Sequence, residues 1–529
     1  MTMVDSRELL KHRLIEQVEP WTRWYRRSWE GGTVLALEEY SEALRWVPDN
    51  VLAQSSVDRL GQQLKSLIGR DPGIGSAAAK TQLNELLKSS IAVDSQAHRR
   101  LDHLTQFIRS RYLLSWRDEV MKGSPFHVER ASRAIAGATL DAGFDPEWTR
   151  REIQSLVKAG AGAGDLIEEL AALAKSPPKT FPGLVLIYAA PERLGMEAWK
   201  VWRSQAETRD LLRSWNHTRA IPTFAGALHF EVEAKDPYVA ARLASERLGR
   251  LQAQVRFSDL QGSLDYETRF RGKDLDRDLR EFRRSVQLRS STATERLQEG
   301  TILHERPSQL DDALQLAAPL TEGPDTIAVT AAWAAIESIF AGAPESSRSS
   351  GKAVAADRAA TIVTAAWPRA ELARLSYLTP ADERANPLLA IELANEQTSQ
   401  GRARTLGKWI AAGKPVSLSE PRNVQAHHRM TQLLGAPTET LRRVRAYTGA
   451  AFHRLYRQRN MVLHGGHLKP IALESTLACA GPLVAAVLDQ AVHAKGLHGV
   501  SPLALAARAE VARGLLTDGP SWEVVDQLN

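Results

Sequence analysis

Apolar residues recur at three- and four-residue spacing through the first 175 positions, as in "TQLNELLKSSIAV" and "DLIEELAALA". That is the period of helices with one buried side, so residues 1–175 are predicted to be helical. "SPPKTFPG", Ser176 to Gly183, carries three prolines and a glycine and cannot continue a helix, which marks it as a domain boundary. The pattern then changes. "LVLIYAA" is a short apolar run, and "ALHFEVEAKDP" alternates Leu228, Phe230, Val232 and Ala234 with polar neighbours, as a half-buried strand does. Helical spacing resumes over Ala240 to Gln254 and "VRF" reads as a return strand, giving a small α+β unit over 180–310. From "GPDTIAVTAAWAAIESIF" onward the period is helical again, with Asp325 or Thr326 placed to cap a helix. "GAPESSRSSGK" reads as a loop, and residues 496–529 as a helical tail. The predicted class is mainly α with a smaller α+β domain.

A chain of 529 residues is too long for one ordinary core and suggests about three domains. Hydrophobic residues make up 43% and charged residues 25%, which supplies ample core. Cys479 is the lone cysteine and sits in "LACAGPLVAAVL", which excludes a disulfide framework or a cysteine zinc site within one chain and fits a reducing cytoplasm. The N-terminus lacks the apolar core of a signal peptide, and no segment reaches roughly 18 uninterrupted apolar residues, so a cytoplasmic protein with no membrane partner is expected. The balance of 68 Lys and Arg against 62 Asp and Glu, net +6, permits a polyanionic partner without demanding one.

Candidate chemistry is concentrated in "YRQRNMVLHGGH", Tyr456 to His467. Thr438 to Leu463 contains no proline and one glycine, with apolar positions at Phe452, Leu455, Tyr456, Val462 and Leu463, so it is predicted as a long helix with a buried side that Gly465 and Gly466 terminate. At about 100° per residue, His453, Arg457, Asn460 and His464 form one stripe, while Arg459 lies about 140° from His464. The bland reading is that Arg and His at a helix C-terminus only satisfy the dipole. "RNVQAH", Arg422 to His427, repeats the spacing after Pro421 without the apolar interleaving or the Gly-Gly stop, and reads as a chance copy in a loop leading to a helix.

"RNMVLHGG" at the end of a long helix, preceded by "LYRQ", resembles the R-x4-6-H signature of the HEPN family (higher eukaryotes and prokaryotes nucleotide-binding), closest to its Apea-like branch. "AWAAIESIF", with Glu337, and "AADRAATIV", with Asp357 and Arg358, fit the early helices of such a domain over 320–495. The stretch from about 374 to 435 departs from a compact member and reads as an insertion. The resemblance implies a HEPN-like all-α bundle, pairing of two protomers through the motif helix, and a metal-independent ribonuclease with no cofactor. It also implies, for multi-domain members, a role in defence or growth inhibition, with the N-terminal 310 residues as sensor or regulator of an unknown trigger or inhibitor.

The residue types suit that chemistry. RNA carries its own nucleophile, the 2′-hydroxyl, and cleavage needs a base, an acid and positive charge on the developing phosphorane. His464 can serve as base or acid. Arg459 can pair with phosphate oxygens, and Asn460 can orient the imidazole or bind phosphate. Arg457, Tyr456, His467 and Glu337 are further substrate-binding candidates. One histidine cannot do both proton jobs, which favours a homodimer sharing the cleft. The alternative is a non-catalytic HEPN module that binds nucleotide or RNA or scaffolds an assembly.

Three other stretches invite chemistry. "PWTRWYRRSW" could stack bases on Trp21, Trp24, Tyr25 and Trp29, or bury its aromatics in an amphipathic helix with Arg snorkelling outward. "RFRGKDLDRDLREFRR" alternates acids and arginines and reads as a solvated helix face. "GAGAGD", Gly160 to Asp165, follows a helix and lacks the P-loop lysine, so it reads as a hinge between helices. His427, His428, His464 and His467 have no matching cysteine or carboxylate arrangement, and no metal site is predicted.

Overall fold

The helical period of the N-terminal region is realised as α1 (Ser6–Val18), α2 (Thr33–Arg45), α3 (Gln54–Arg70), α4 (Ala77–Leu86), α5 (Gln96–Met121), α6 (Val128–Asp141), α7 (Pro146–Lys158) and α8 (Ala163–Lys175). The structure is a computed structural model that describes residues 5–27, 32–122, 124–190, 200–217, 220–257, 264–267, 269–273, 276–278, 308–341, 351–378, 386–517, 519 and 521–528. It is mainly helical with one small antiparallel sheet. "GAGAGD" is the turn between α7 and α8, with Gly160 at φ +88°, a left-handed backbone that favours glycine.

The chain divides into two compact units, and the division cuts across the three domains expected from the sequence. One unit comprises 1–138, 156–168 and 286–529; the other comprises 139–155 and 169–285. The helical region 1–175 is therefore not a body of its own. The physical reason is that buried carboxylates and arginines of the N-terminal helices pair with those of the C-terminal half, in both directions. Glu371, fully buried, accepts from Arg26 Nε at 2.7 Å and Arg429 Nη2 at 3.0 Å. Glu129 on α6 accepts from Arg13 Nε at 3.0 Å and Arg429 Nη1 at 2.7 Å. Burial alone would raise both carboxyls, but Arg26 and Arg429 around Glu371, and Arg13 and Arg429 around Glu129, outweigh it and hold both below the usual carboxylate range.

A single core joins these pieces, with Trp24 and Tyr25 packed in one cluster with Trp333, Trp367, Phe452 and Val484. The "PWTRWYRRSW" stretch thus buries two of its aromatics, as one of its readings expected, but not in an amphipathic helix with outward arginines. Trp24–Arg26 form a single 3-10 turn, and Arg26 is buried and paired instead of snorkelling, while Trp21 is exposed. Trp29 lies outside the described residues. The 496–529 tail is a helix, Pro502–Gly514, and a short turn whose Val524 and Val525 are fully buried in the same core.

The expected insertion contains helices Pro387–Ala394, Ser399–Ala411 and Pro421–Gly435. Arg422 to His427 therefore begins a helix with Pro421 at its first turn, where the missing N–H costs nothing, and is not the predicted loop. The helix Asp325–Phe340 has Pro324 at its N-cap position and no side-chain cap, so neither Asp325 nor Thr326 plays that part. The loop expected at "GAPESSRSSGK" falls mostly outside the described residues, and its last two residues open the helix Gly351–Leu378. Among the described residues one helical segment, Leu473–Gly496, is long and apolar enough by composition to cross a membrane, and 72% of its most apolar stretch is buried in the bundle.

The second unit is built on the sheet. Strand β1 (Lys179–Ala189) pairs antiparallel with β3 (Gly226–Ala234) from Lys179↔Ala234 to Ile187↔Gly226, and strand order runs β2 (Trp202–Arg203), β3, β1, β5 (Arg269–Gly272), β6 (Asp276–Asp278), with β4 (Asp265–Tyr266) also on β1. The proline-rich boundary segment thus enters β1 directly after α8 ends. Alternate residues of β1 face two small cores: Val185 and Ile187 pack with the helix Pro237–Phe257, and Leu184 and Leu186 with Leu212 and Phe224. "VRF" is the last turn of Pro237–Phe257, not a return strand. Within "RFRGKDLDRDLREFRR", Arg269–Gly272 and Asp276–Asp278 are strand where a helix face was predicted, because β5 closes onto β1 through Gly183↔Gly272, and the remainder of the stretch apart from Lys273 lies outside the described residues. An added Cβ at Gly183 would sit 2.0 Å from the Phe270 ring, so only glycine allows that approach.

Candidate functional site

The motif helix runs from Pro437 to Leu463, one residue longer at its start than the sequence pattern predicts, with Phe452, Leu455 and Met461 fully buried against the bundle. Its end is built by the two glycines, each for a different reason. A Cβ on Gly465 would meet the Met461 carbonyl at 2.7 Å and the Trp46 ring at 2.9 Å. Gly466 adopts φ +62°, reversing the chain so that the His467 N–H reaches the Met461 carbonyl at 3.0 Å.

The polar stripe predicted along this helix is split in two by the N-terminal helices. Its first half is sealed. Arg457 is 1% exposed and donates from Nε and Nη2 to Glu39 Oε1 on α2 at 2.9 and 2.7 Å, while Arg454 Nε donates to Glu39 Oε2 at 2.7 Å. Burial would raise the Glu39 carboxyl, but Arg457 and Arg454 outweigh it and hold it below its ordinary range. His453 is buried with its Nε2 at 3.1 Å from Asp357 Oδ1 and beside Arg59 of α3. Burial pushes the His453 imidazole down, with Asp357 opposing. Arg457 therefore offers no face to a substrate, contrary to expectation; it is a structural partner of Glu39.

The second half is open. His464 is exposed and Arg459 half-buried, and Arg459 Nη1 lies 2.8 Å from both His464 Nε2 and Asn460 Oδ1. A guanidinium can only donate, so in this arrangement His464 Nε2 is the acceptor and its proton sits on Nδ1. Asn460, 4% exposed, orients Arg459 and not the imidazole as predicted. The Nε and Nη2 groups of Arg459 make no hydrogen bond among the described residues, which leaves that edge of the fork for an anion.

The remaining candidates hold the surroundings. Tyr456 packs its ring 5.0 Å from Trp333, whose indole N–H donates to Glu337 Oε2 at 2.8 Å, so Tyr456 and Glu337 meet through Trp333. His467 Nε2 lies 2.9 Å from Glu42 Oε1, and its ring packs 5.5 Å from Trp46. Glu42 also takes the Ile471 N–H at 3.1 Å, so α2 clasps the segment that follows the glycines. Sequence reasoning missed Glu39, Glu42 and Trp46; the signal for them was two acids on the apolar face of "TVLALEEYSEALRW", a pattern that needs cationic partners if buried.

In the repeat of the spacing the two side chains form no hydrogen bond with each other. Arg422 Nε is bound to Glu420 at 2.7 Å on the surface, and His427 has a buried Nε2 with no hydrogen-bond partner. Within a continuing helix the two side chains diverge, whereas the helix stop at His464 lets Arg459 reach it. Among the described residues no three His, Cys, Asp or Glu side chains are grouped so as to hold a metal ion.

No family model, curated protein or solved structure matches this chain.

Proposed function

We propose that the helical bundle around Pro437–Leu463 is a HEPN-like, metal-independent endoribonuclease in which Arg459, Asn460 and His464 carry the reaction. The observation that carries this reading is the pairing of an exposed histidine and a half-exposed arginine at 2.8 Å, with Asn460 fixing the arginine from behind. In the reaction His464 Nε2 takes the proton from the 2′-hydroxyl, whose oxygen attacks the adjacent phosphorus. Arg459 turns from the imidazole to the non-bridging oxygens as charge builds there. The 5′-oxygen leaves with a proton, and the products are a 2′,3′-cyclic phosphate and a 5′-hydroxyl.

A second histidine serves as acid when two chains pair through their motif turns. Leu463, Leu468 and Ile471 are 52%, 65% and 46% exposed around His464, an apolar collar that a second copy would cover. Because α2 and α3 already occupy the first half of the stripe, the shared face is confined to the helix end. The biological role proposed is a regulated defence or growth-inhibition effector. The test is incubation of purified protein with total tRNA and messenger RNA in EDTA, with both ends of each fragment mapped. Fragments with other ends would refute attack by the 2′-hydroxyl, and no fragments at all would favour a non-catalytic RNA-binding or scaffolding module.

A further inference from the structure

A half-enclosed cavity of about 100 Å³ lies within the first unit, well away from the motif. Its lining includes Arg13, Arg27, Arg70, Arg130, Arg133, Arg429 and Arg443, and Glu129 is its only acid among the described residues. Two of these arginines are already neutralised, since Arg13 and Arg429 pair with Glu129, Glu16 and Glu371. The others are not. Arg27 donates to the backbone carbonyls of Thr22, at 2.6 Å, and of Pro20, and Arg130 to that of Arg70 at 3.0 Å. Arg133 donates to the Glu129 carbonyl and covers the Tyr447 ring at 4.8 Å. Arg443 lies 3.6 Å from Glu439, a carboxylate it shares with Arg442.

Three polar atoms on this lining are buried with no hydrogen-bond partner: Arg429 Nε, Thr440 Oγ1 and Arg443 Nε, the last of them in ion-pair range of Glu439 at 3.6 Å but beyond hydrogen-bond distance. Thr440 and Arg443 are one turn apart on the motif helix, so they share a face. Clustered guanidinium charge beside unsatisfied donors is costly unless an anion completes it. The surrounding field is positive enough that, after burial, the charges of Arg130 and Arg133 depress the His127 imidazole at the same cavity, against the opposing Glu129. The volume takes several waters, and so a phosphoryl group or two, but not a nucleic-acid strand.

We propose that this cavity binds a small polyphosphate anion, a free pyrophosphate or the phosphate tail of a nucleotide. Its walls come from α3 and α6 on one side and from Pro421–Gly435 and the motif helix on the other, so the ligand ties the N-terminal helices to the helix that carries Arg459. Arg443 stands sixteen residues before Arg459, about 24 Å along the helix axis at 1.5 Å per residue, so the two sites are distinct.

The test is calorimetric titration of the full chain with inorganic pyrophosphate, with sodium sulfate at matched ionic strength as the reference anion. One pyrophosphate should bind per chain, at least about tenfold tighter than sulfate, and Arg443→Gln should weaken it at least about tenfold. Thr440→Val, which keeps the shape and charge and removes only the hydroxyl, should weaken it by a smaller factor and serves if Arg443→Gln does not fold. Adding ATP in place of pyrophosphate distinguishes the nucleotide tail from the free anion. Pyrophosphate binding no tighter than sulfate, or unaffected by both substitutions, would overturn the proposal. So would a short 2′-O-methyl RNA that binds here when pyrophosphate does not. The readout is binding, so the result is independent of whether the protein cuts RNA.

Discussion

Glu39→Gln is the substitution that most directly probes how the N-terminal helices hold the candidate site. The carboxylate is fully buried and receives three N–H groups from two arginines at 2.7 to 2.9 Å, with Arg454 and Arg457 themselves 3% and 1% exposed. Glutamine keeps the volume but leaves two neighbouring guanidiniums without their counter-charge. Breaking one side of a buried pair costs about 3–5 kcal/mol. The assay is urea unfolding followed by circular dichroism at pH 7, with the parental chain and the triple variant Glu39→Leu, Arg454→Met, Arg457→Met in parallel. The single variant should lose about 3–5 kcal/mol, and the triple should recover most of that, because no uncompensated charge remains. The sign of the pH dependence follows from the depressed carboxyl. Its stabilisation is present above the unfolded value of about 4.3 and is lost as pH falls through the lower folded value, so the gap between parent and Glu39→Gln should close in acid. A loss under about 1 kcal/mol, or a triple variant less stable than the single one, would refute the reasoning.

Other expectations follow from the same geometry. Glu39, Glu129 and Glu371 are all held below the ordinary carboxylate range, so the first unit should lose stability steeply below about pH 4 and not on the alkaline side; a flat stability between pH 7 and 3 by thermal melting would contradict this. Cleavage should persist in EDTA, and an RNA with a 2′-deoxy nucleotide at the cut position should resist; loss of activity on chelation that magnesium restores would sink the mechanism. A His464→Ala chain titrated into wild type should depress activity more steeply than dilution, and strictly proportional dilution would argue against a shared site.

The motif helix and its Gly-Gly stop were legible because both are local: an unbroken 3.6-residue period, then one glycine where a Cβ would clash and one at a left-handed φ. The strand at Gly226–Ala234 was legible for the same reason, through strict alternation. What the sequence did not reveal depends on contacts between distant segments. Glu39 meets Arg457 across more than four hundred residues, and nothing at either position names its partner. The half of the stripe that α2 and α3 cover therefore looked as available as the half at His464. "VRF" has strand-like composition, yet the preceding helix simply continues through it, since its packing against the sheet sets its length. Asp276–Asp278 became strand because β5 offered an edge, which overrode a charge pattern suited to a helix face.

Cleavage of one defined RNA by wild type, Arg459→Ala and His464→Ala, beside Arg422→Ala and His427→Ala, tests the central claim most directly. Cleavage in EDTA should leave a 2′,3′-cyclic phosphate and fall by at least about a hundredfold in the first pair, because both side chains act on the transition state, with circular dichroism unchanged. The second pair, whose arginine is bound to Glu420 and makes no contact with its histidine, should cut within about twofold of wild type. Parental cleavage by both Arg459→Ala and His464→Ala would contradict the account.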